Sequence, residues 1–286
     1  MPPFGPPLEL AELVRAALAE DVGAGDVTTA ATIPPGRLGR ARVIARAAGV
    51  VAGSAAFAEV YRQVDAAVAI ELVAPDGTAV APGDLVARAR GPFASLLVAE
   101  RVALNFLQRL SGVATLARRF AGAIEGTGAI IVDTRKTTPG WRALEKSAVR
   151  AGGGRNHRMG LYDAYLIKEN HVAGAGGIAA ALAAARRPGS DLPVEIEVRS
   201  LAELEEALTS PDRPDRILCD NFAVADLARA VERVRAAPDP PLVEASGGVS
   251  LATVRQIAET GVDWISVGAL THSAPALDLS CLIEPA

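Results

Sequence analysis

The stretch Asp133–Asn170 collects eight cations (Arg135, Lys136, Arg142, Lys146, Arg150, Arg155, Arg158, Lys168) against four acids (Asp133, Glu145, Asp163, Glu169), in a chain whose formal net charge is −4. An acidic chain that gathers its cations in one segment points to an anionic small molecule; a nucleic-acid binder spreads its basic surface more widely. Lysine usage sharpens this. Of the 29 Lys/Arg only three are lysine, Lys136, Lys146 and Lys168, and all lie in this stretch. Arginine replaces lysine readily on a solvated surface, but not where a compact, mobile ammonium is needed.

A second set of reactive residues closes six short apolar runs: AIIVDT (129–134), AYLIK (164–168), PVEIEV (193–198), RILCD (216–220), LVEASGG (242–248) and DWISVG (263–268). The runs end in Thr134-Arg135-Lys136, Lys168-Glu169-Asn170, Glu197, Asp220-Asn221, Ser246-Gly247-Gly248 and Gly268. Glu195 stands two residues before Glu197, on the same strand face. One polar ending is ordinary turn chemistry. Six in succession form a ring of functional groups around one mouth. The glycine-bearing turns after the last two runs, the first before a helix expected to begin near Ser250, suit a phosphate. Glu197 and Asp220 beside a phosphate suit Mg²⁺, held directly or through water, or a sugar hydroxyl. Arg135, Lys136, His157, Arg158 and Lys168 suit a ligand with more than one negative group, since arginine grips a carboxylate with paired hydrogen bonds. Gly152-Gly153-Gly154 lets the loop before His157 approach that ligand closely. No nucleophile stands out. These residues describe an enzyme joining a polyanionic acid to a magnesium-bound phosphorylated sugar, and do not identify the acid.

The elements that must position them are legible in outline. Residues 8–20 are an amphipathic helix, and DVGAGDVTT suits a turn. Residues 32–92 hold short β-rich runs, with a helix over 53–65. Residues 94–125 read as two helices parted near Gly112. After Gly128 the six buried runs alternate with helical segments near 140–151, 173–187, 200–210, 222–236 and 250–260. That pattern means a parallel sheet. Without a dinucleotide fingerprint, a closed α/β barrel of about six strands is favoured over an open doubly wound sheet. The expected organisation is an N-terminal α/β sandwich domain over 1–112 and a barrel domain over 113–274, with the tail 275–286 packing back on the first.

Composition sets the bounds. Half of the 286 residues are hydrophobic, enough for a full core. No uncharged apolar run approaches the roughly 18 residues of a membrane span. The N-terminus lacks the pattern of a secretory signal, and Cys219 and Cys281 form no CxxC, so a reduced cytoplasmic setting is expected. Three histidines and two cysteines at no ligand spacing argue against structural zinc. The turns around Asp76-Gly77 and Pro82-Gly83-Asp84 are like those of sandwiches that carry biotin or lipoate. A carrier needs an attachment lysine, and none precedes Lys136.

Read whole, DTRKTTPGWRALEKSAVRAGGGRNHRMGLYDAYLIKENH resembles the signature of the quinolinate phosphoribosyltransferase family. ALAEDVGAGDVTT, ERVALNFLQRLSG, EIEV, CDNF and SGGV fall in the family's order, so the resemblance covers nearly the whole chain. It implies a two-domain fold and a homodimer with sites shared across the interface. It implies that Arg101, by spacing alone a solvated helix residue, reaches quinolinate in the other subunit. It assigns Thr134, Arg135, His157, Arg158 and Lys168 to quinolinate and Lys136 to the pyrophosphate of phosphoribosyl pyrophosphate. Glu197 and Asp220 fall to the ribose and Mg²⁺, and Ser246, Gly247, Gly248, Val267, Gly268 and Ala269 to the 5′-phosphate. Lys136, Lys168, Glu197 and Asp220 are then the catalytic set. Trp141 and Tyr165 depart from the family pattern and bear on packing. A molybdenum-transport-linked paralogue, a nicotinate-specific enzyme and a non-catalytic pyridine-dicarboxylate binder are rival readings. The full NHRMGLYDAYLIKENH string, the cation number and the intact Glu197, Asp220 and SGG weigh against them in turn.

Overall fold

The computed structural model describes residues 9–187 and 189–286. In chain order its elements are α1 (Leu10–Val22), α2 (Val27–Thr32), β1 (Leu38–Ala45), β2 (Gly49–Val50), α3 (Ser54–Val64), β3 (Ala69–Leu72), β4 (Ala79–Val80), β5 (Leu85–Pro92) and α4 (Phe93–Ala123). There follow β6 (Ile130–Val132), α5 (Arg142–Ala151), β7 (Tyr165–Ile167), α6 (Glu169–Ala175), α7 (Ile178–Arg186), β8 (Val194–Val198), α8 (Leu201–Thr209), β9 (Arg216–Asp220) and α9 (Val224–Ala236). The last are β10 (Leu242–Ser246), α10 (Val254–Ala258), β11 (Trp264–Ser266), α11 (Ala269–His272) and β12 (Leu279–Pro285). No described helix is long and apolar enough to cross a membrane.

The chain divides into two compact units. The first takes Thr137–Gly153 and Leu270–Ala286 as well as the chain up to Arg118; the second is Arg119–Lys136 with Gly154–Ala269. The first unit thus takes in residues from both sides of 112/113, and 17 of the 38 residues of the cationic stretch belong to it.

The first unit is built on the antiparallel sheet β12-β1-β5-β3. Along β1 every second residue (Gly39, Ala41, Val43, Ala45) is buried, as a half-covered sheet requires. Phe57 and Tyr61 of α3 and Leu96, Phe106 and Leu107 of α4 fill the core beneath it. Trp141 stacks on Phe106 with ring centroids 4.6 Å apart, which gives this departure from the family pattern a packing role. The C-terminal strand β12 pairs with β1 from Gly39↔Pro285 to Ala45↔Leu279.

Three sequence expectations are corrected. Residues 93–123 are one helix, not two. Gly112 does not break it: a Cβ there would lie 2.0 Å from the Pro275 carbonyl oxygen, so the glycine serves close approach. The expected helix over 173–187 is two, α6 and α7, parted by Gly176 and Gly177 at φ +90° and +132°. The turn expected over DVGAGDVTT is shorter than that stretch: it lies at Gly23 and Ala24, and the last three residues open α2, whose first turn is capped by Asp26 accepting from the Thr28 and Thr29 amides at 3.0 and 2.9 Å.

The second unit is the six-stranded parallel sheet in the order β6-β11-β10-β9-β8-β7. Sequence neighbours are spatial neighbours except that β6 has swung round to pair with β11, the order of a barrel. The ladder is not continuous all the way round, as a closed barrel would have it. Among the described residues β6 and β7 share no ladder, and the segment at Arg155 pairs with β6. Its amide donates to the Ile131 carbonyl at 2.9 Å, and its carbonyl accepts from the Asp133 amide at 3.2 Å.

Candidate active site

All residues of the candidate site but Arg101 come from the second unit. Register places Glu195 beside Arg216 and Glu197 beside Leu218. Leu218 lies beside Glu244, Asp220 beside Ser246, and Glu244 beside Trp264. Side chains two apart share a face. Leu166, Lys168, Glu197, Leu218, Asp220, Glu244, Ser246 and Ser266 accordingly all line one cavity of about 650 Å³. Thr134, Arg135, Lys136, His157, Arg158, Asn221, Gly247 and Gly248 complete the lining.

The cationic wall is held from behind. The Lys136 amide donates to the Thr134 hydroxyl at 3.0 Å. Burial and the neighbouring Arg135 both hold the Arg158 guanidinium below the ordinary arginine value. The Arg135 Nε is buried with no hydrogen-bond partner, a donor that calls for an anion. Asp133, wholly buried, anchors the returning loop by accepting from the His157 amide at 2.9 Å and from the Asn156 side chain. Asp163 ties the loop's far end, accepting from the Met159 and Gly160 amides at 2.6 and 3.0 Å. Burial works against its charge, but those amides hold its carboxyl low.

Across the cavity, Lys168 Nζ meets Glu197 Oε2 at 2.6 Å, so one of the expected metal-side carboxylates is already joined to the cationic wall. Asp220 Oδ2 accepts from the Asn221 side chain at 2.8 Å. Asn221 itself has φ +56°, and its amide donates to the Ser246 carbonyl at 2.8 Å. Gly247, at φ +94°, passes so close that a Cβ would lie 2.1 Å from Asn221 Oδ1. The turn is thus a backbone surface that only glycine can form.

Not every expected residue joins this lining. Val267 is buried and spends its amide on the Val132 carbonyl at 2.9 Å. Neither it nor Gly268 nor Ala269 lines the cavity, whereas Ser246, Gly247 and Gly248 do. The helix expected from Ser250 starts at Val254. Arg101 is exposed on α4 in the first unit. Lys146 is fully buried on α5, also in the first unit, so one of the three lysines serves structure.

Sequence reasoning missed Arg216 and Glu244 and the cluster they make with His157 and Glu195. His157 Nε2 sits 3.0 Å from Glu195 Oε2 and 3.4 Å from Glu244 Oε2. Arg216 Nη1 reaches the same two oxygens at 3.3 and 3.4 Å. The Arg216 guanidinium lies 3.5 Å over the Trp264 ring, and Trp264 meets the His157 ring edge-on at 81°. Burial opposes a charge on His157, but the two carboxylates outweigh it and push the ring up to about 9. Burial and Glu244 raise the Glu195 carboxyl; despite burial, His157 and Arg216 hold the Glu244 carboxyl down. His157, Glu195 and Glu244 offer ligand atoms within 4.8 Å of one another, a spacing that a metal ion could use. Arg216 already supplies the cation there. The available signal was alternation: RILCD opens with a charge at the position facing EIEV.

Residues 113–281 match the description "Quinolinate phosphoribosyl transferase, C-terminal domain", and residues 26–111 match "Quinolinate phosphoribosyl transferase, N-terminal domain". The chain is 42% identical over 271 residues to a nicotinate-nucleotide pyrophosphorylase [carboxylating] of Mycobacterium leprae, covering 94% of this chain and 95% of that one. It is 41% identical over 298 residues to a chloroplastic protein of the same name from Arabidopsis thaliana, covering 99% of this chain and 85% of that one. Among solved structures, the nicotinate-nucleotide pyrophosphorylase of Francisella tularensis matches with a TM-score of 0.91 at 40% identity, covering 96% of each chain.

Proposed function

The chain belongs to the quinolinate phosphoribosyl transferase family, and from that premise we propose that it transfers the phosphoribosyl group of phosphoribosyl pyrophosphate to quinolinate. The products are nicotinate mononucleotide, pyrophosphate and CO₂, a step in NAD biosynthesis. The observation that carries this reading is the division of one cavity. Arg135, Lys136, Arg158 and Lys168 stand against Glu197 and Asp220, with the Ser246-Gly247-Gly248 turn between them. A dicarboxylate suits the cations, and the unpartnered Arg135 Nε in particular. A phosphate suits the turn.

The residues do their work by position and charge. Arg135, Arg158 and Lys168, with His157, orient the two carboxylates so that the pyridine nitrogen faces the sugar's C1. Lys136 draws on the departing pyrophosphate. Once the nitrogen carries the sugar it is cationic, and the adjacent carboxylate leaves as CO₂; its electron pair stays on the ring carbon beside the nitrogen, which then takes up a proton from water. The cations then stabilise developing charge without forming a bond to the substrate. Glu197 and Asp220 each commit one oxygen within the protein, and the remaining oxygens suit Mg²⁺ bound through water. Mg²⁺ would neutralise the pyrophosphate and ease its departure. We read the working form as a cytoplasmic homodimer in which Arg101 of one subunit completes the other's quinolinate site.

The test is a product assay with Mg²⁺, phosphoribosyl pyrophosphate and either quinolinate or nicotinate. Nicotinate mononucleotide with one CO₂ from quinolinate alone is expected. Turnover of nicotinate without CO₂ would overturn the assigned substrate.

A further inference from the structure

We propose that Glu244 and Arg216, with Glu195, are positioning residues that grip the inner nitrogen of His157 and so fix the ring, and the charge it presents, for an anionic carboxylate in the cavity. This rests on the quinolinate reading above. It adds residues that act through His157.

The geometry is specific. His157 lines the cavity, yet its side chain is only 8% exposed, and its Nε2 turns inward to Glu195 and Glu244. Arg216 Nη1 approaches the same two oxygens from the other side. Two donors and two acceptors thus alternate around one point, and Trp264 closes it as the surface on which the guanidinium and the ring edge both rest. Other charged groups bound the loop. Asp133 holds the His157 amide, and Arg158 follows in sequence with Arg135 beside it.

This pattern does more than fill space. Carboxylates behind an imidazole fix its tautomer and raise its basicity. Here Nε2 must carry a proton, because it faces carboxylate oxygens while Nδ1 accepts from the Arg158 amide at 2.7 Å. A second proton on the ring would go to Nδ1. In that form Nδ1–H needs an acceptor in place of the Arg158 amide, and a substrate carboxylate held by Arg135 and Arg158 would supply one. Glu195 Oε1 and Glu244 Oε1 are buried without partners, so the pair is not satisfied by structure alone, as a purely packing cluster would be.

The experiment pairs Glu244→Gln and Arg216→Lys with wild type, using two readouts. The first is ¹⁵N imidazole NMR of His157 against pH in the ligand-free protein, which needs no turnover. Glu244→Gln should lower the ring's pKa by about one pH unit or more. The second is steady-state kinetics. Glu244→Gln should raise KM for quinolinate about tenfold on the alkaline side, where a pKa lower by one unit reduces the charged ring tenfold, and leave KM for phosphoribosyl pyrophosphate unchanged. Arg216→Lys keeps the charge but loses the fork, and should raise the same KM while partly preserving the NMR titration. An unchanged His157 titration in folded Glu244→Gln, or equal rises in both KM values, would overturn the proposal. Loss of the quinolinate substrate assignment would show in wild type alone and leave the NMR result standing.

Discussion

Two different charge clusters meet on β8, one pleat apart. At the mouth, Lys168 and Glu197 form a pair in which the lysine side chain is 48% exposed. One step inward, Glu195, Arg216 and Glu244 form a cluster in which the most exposed side chain is 13%. Glu195 and Glu197 are the same residue type on the same face of β8. Depth alone separates them. The outer glutamate, itself 11% exposed, has a solvated partner in Lys168 and can exchange it for a substrate or cation. The inner one cannot, because a buried charge left unpaired is expensive. Exchangeable chemistry thus sits over a fixed electrostatic floor.

The largest expected effect breaks the outer layer. Arg101→Ala and Lys136→Ala should each cut kcat/KM for quinolinate turnover by roughly 10²-fold or more, with no change in melting temperature. Mixing the two inactive proteins and allowing subunit exchange should restore about a quarter of wild-type activity, since half the dimers then carry one intact site. No recovery on mixing would remove Arg101 from the partner's site. Next in size, Arg216→Leu should cost about 3–5 kcal/mol of stability in a denaturant titration, the usual result of stripping one partner from a buried set. Lys168→Met, which removes the solvated member of its pair, should cost less, about 1 kcal/mol, while greatly reducing quinolinate turnover. Equal stability losses would erase the distinction between the layers.

The smallest effect is a pH dependence. His157 in the folded protein is held at about 9, above the ordinary 6.5. The stability it contributes is therefore fully present below about 6.5 and is lost as the pH rises through about 9. The denaturant midpoint should fall across that window, and Glu244→Gln should flatten the decline. A midpoint that rises with pH between those limits would mean that the carboxylates do not favour the charged ring.

Much of this was legible in the chain. The six parallel strands declare themselves because each is a short apolar run ending in a polar turn, and period-two spacing put Lys168, Glu197, Asp220 and Ser246 around one mouth. Spacing gives face but not depth, so Glu195 was placed on the face of Glu197 without its burial being evident, and Arg216 passed unnoticed. Gly112 looked like a helix break because its reason, the Pro275 carbonyl, lies far along the chain. Asp26 was misread differently: Asp followed by Val-Thr-Thr suits both a turn and a helix cap, and only tertiary context chooses. Lys146 shows the weakness of counting. A scarce residue was taken as functional, and the fold has buried it.

The pairing of β12 with β1 bears on how the protein is made. Domains emerging from the ribosome tend to fold as units, the N-terminal one first. Here the first unit cannot finish in that order. Its sheet lacks the strand beside β1 until residues 279–285 have been synthesised, after the whole of the second unit. The parallel strands can therefore assemble while the earlier sheet still presents an open edge along Leu38–Ala45. A nascent chain stalled before Leu279 would display that edge to other chains, and the final seven-residue strand acts as the latch that withdraws it.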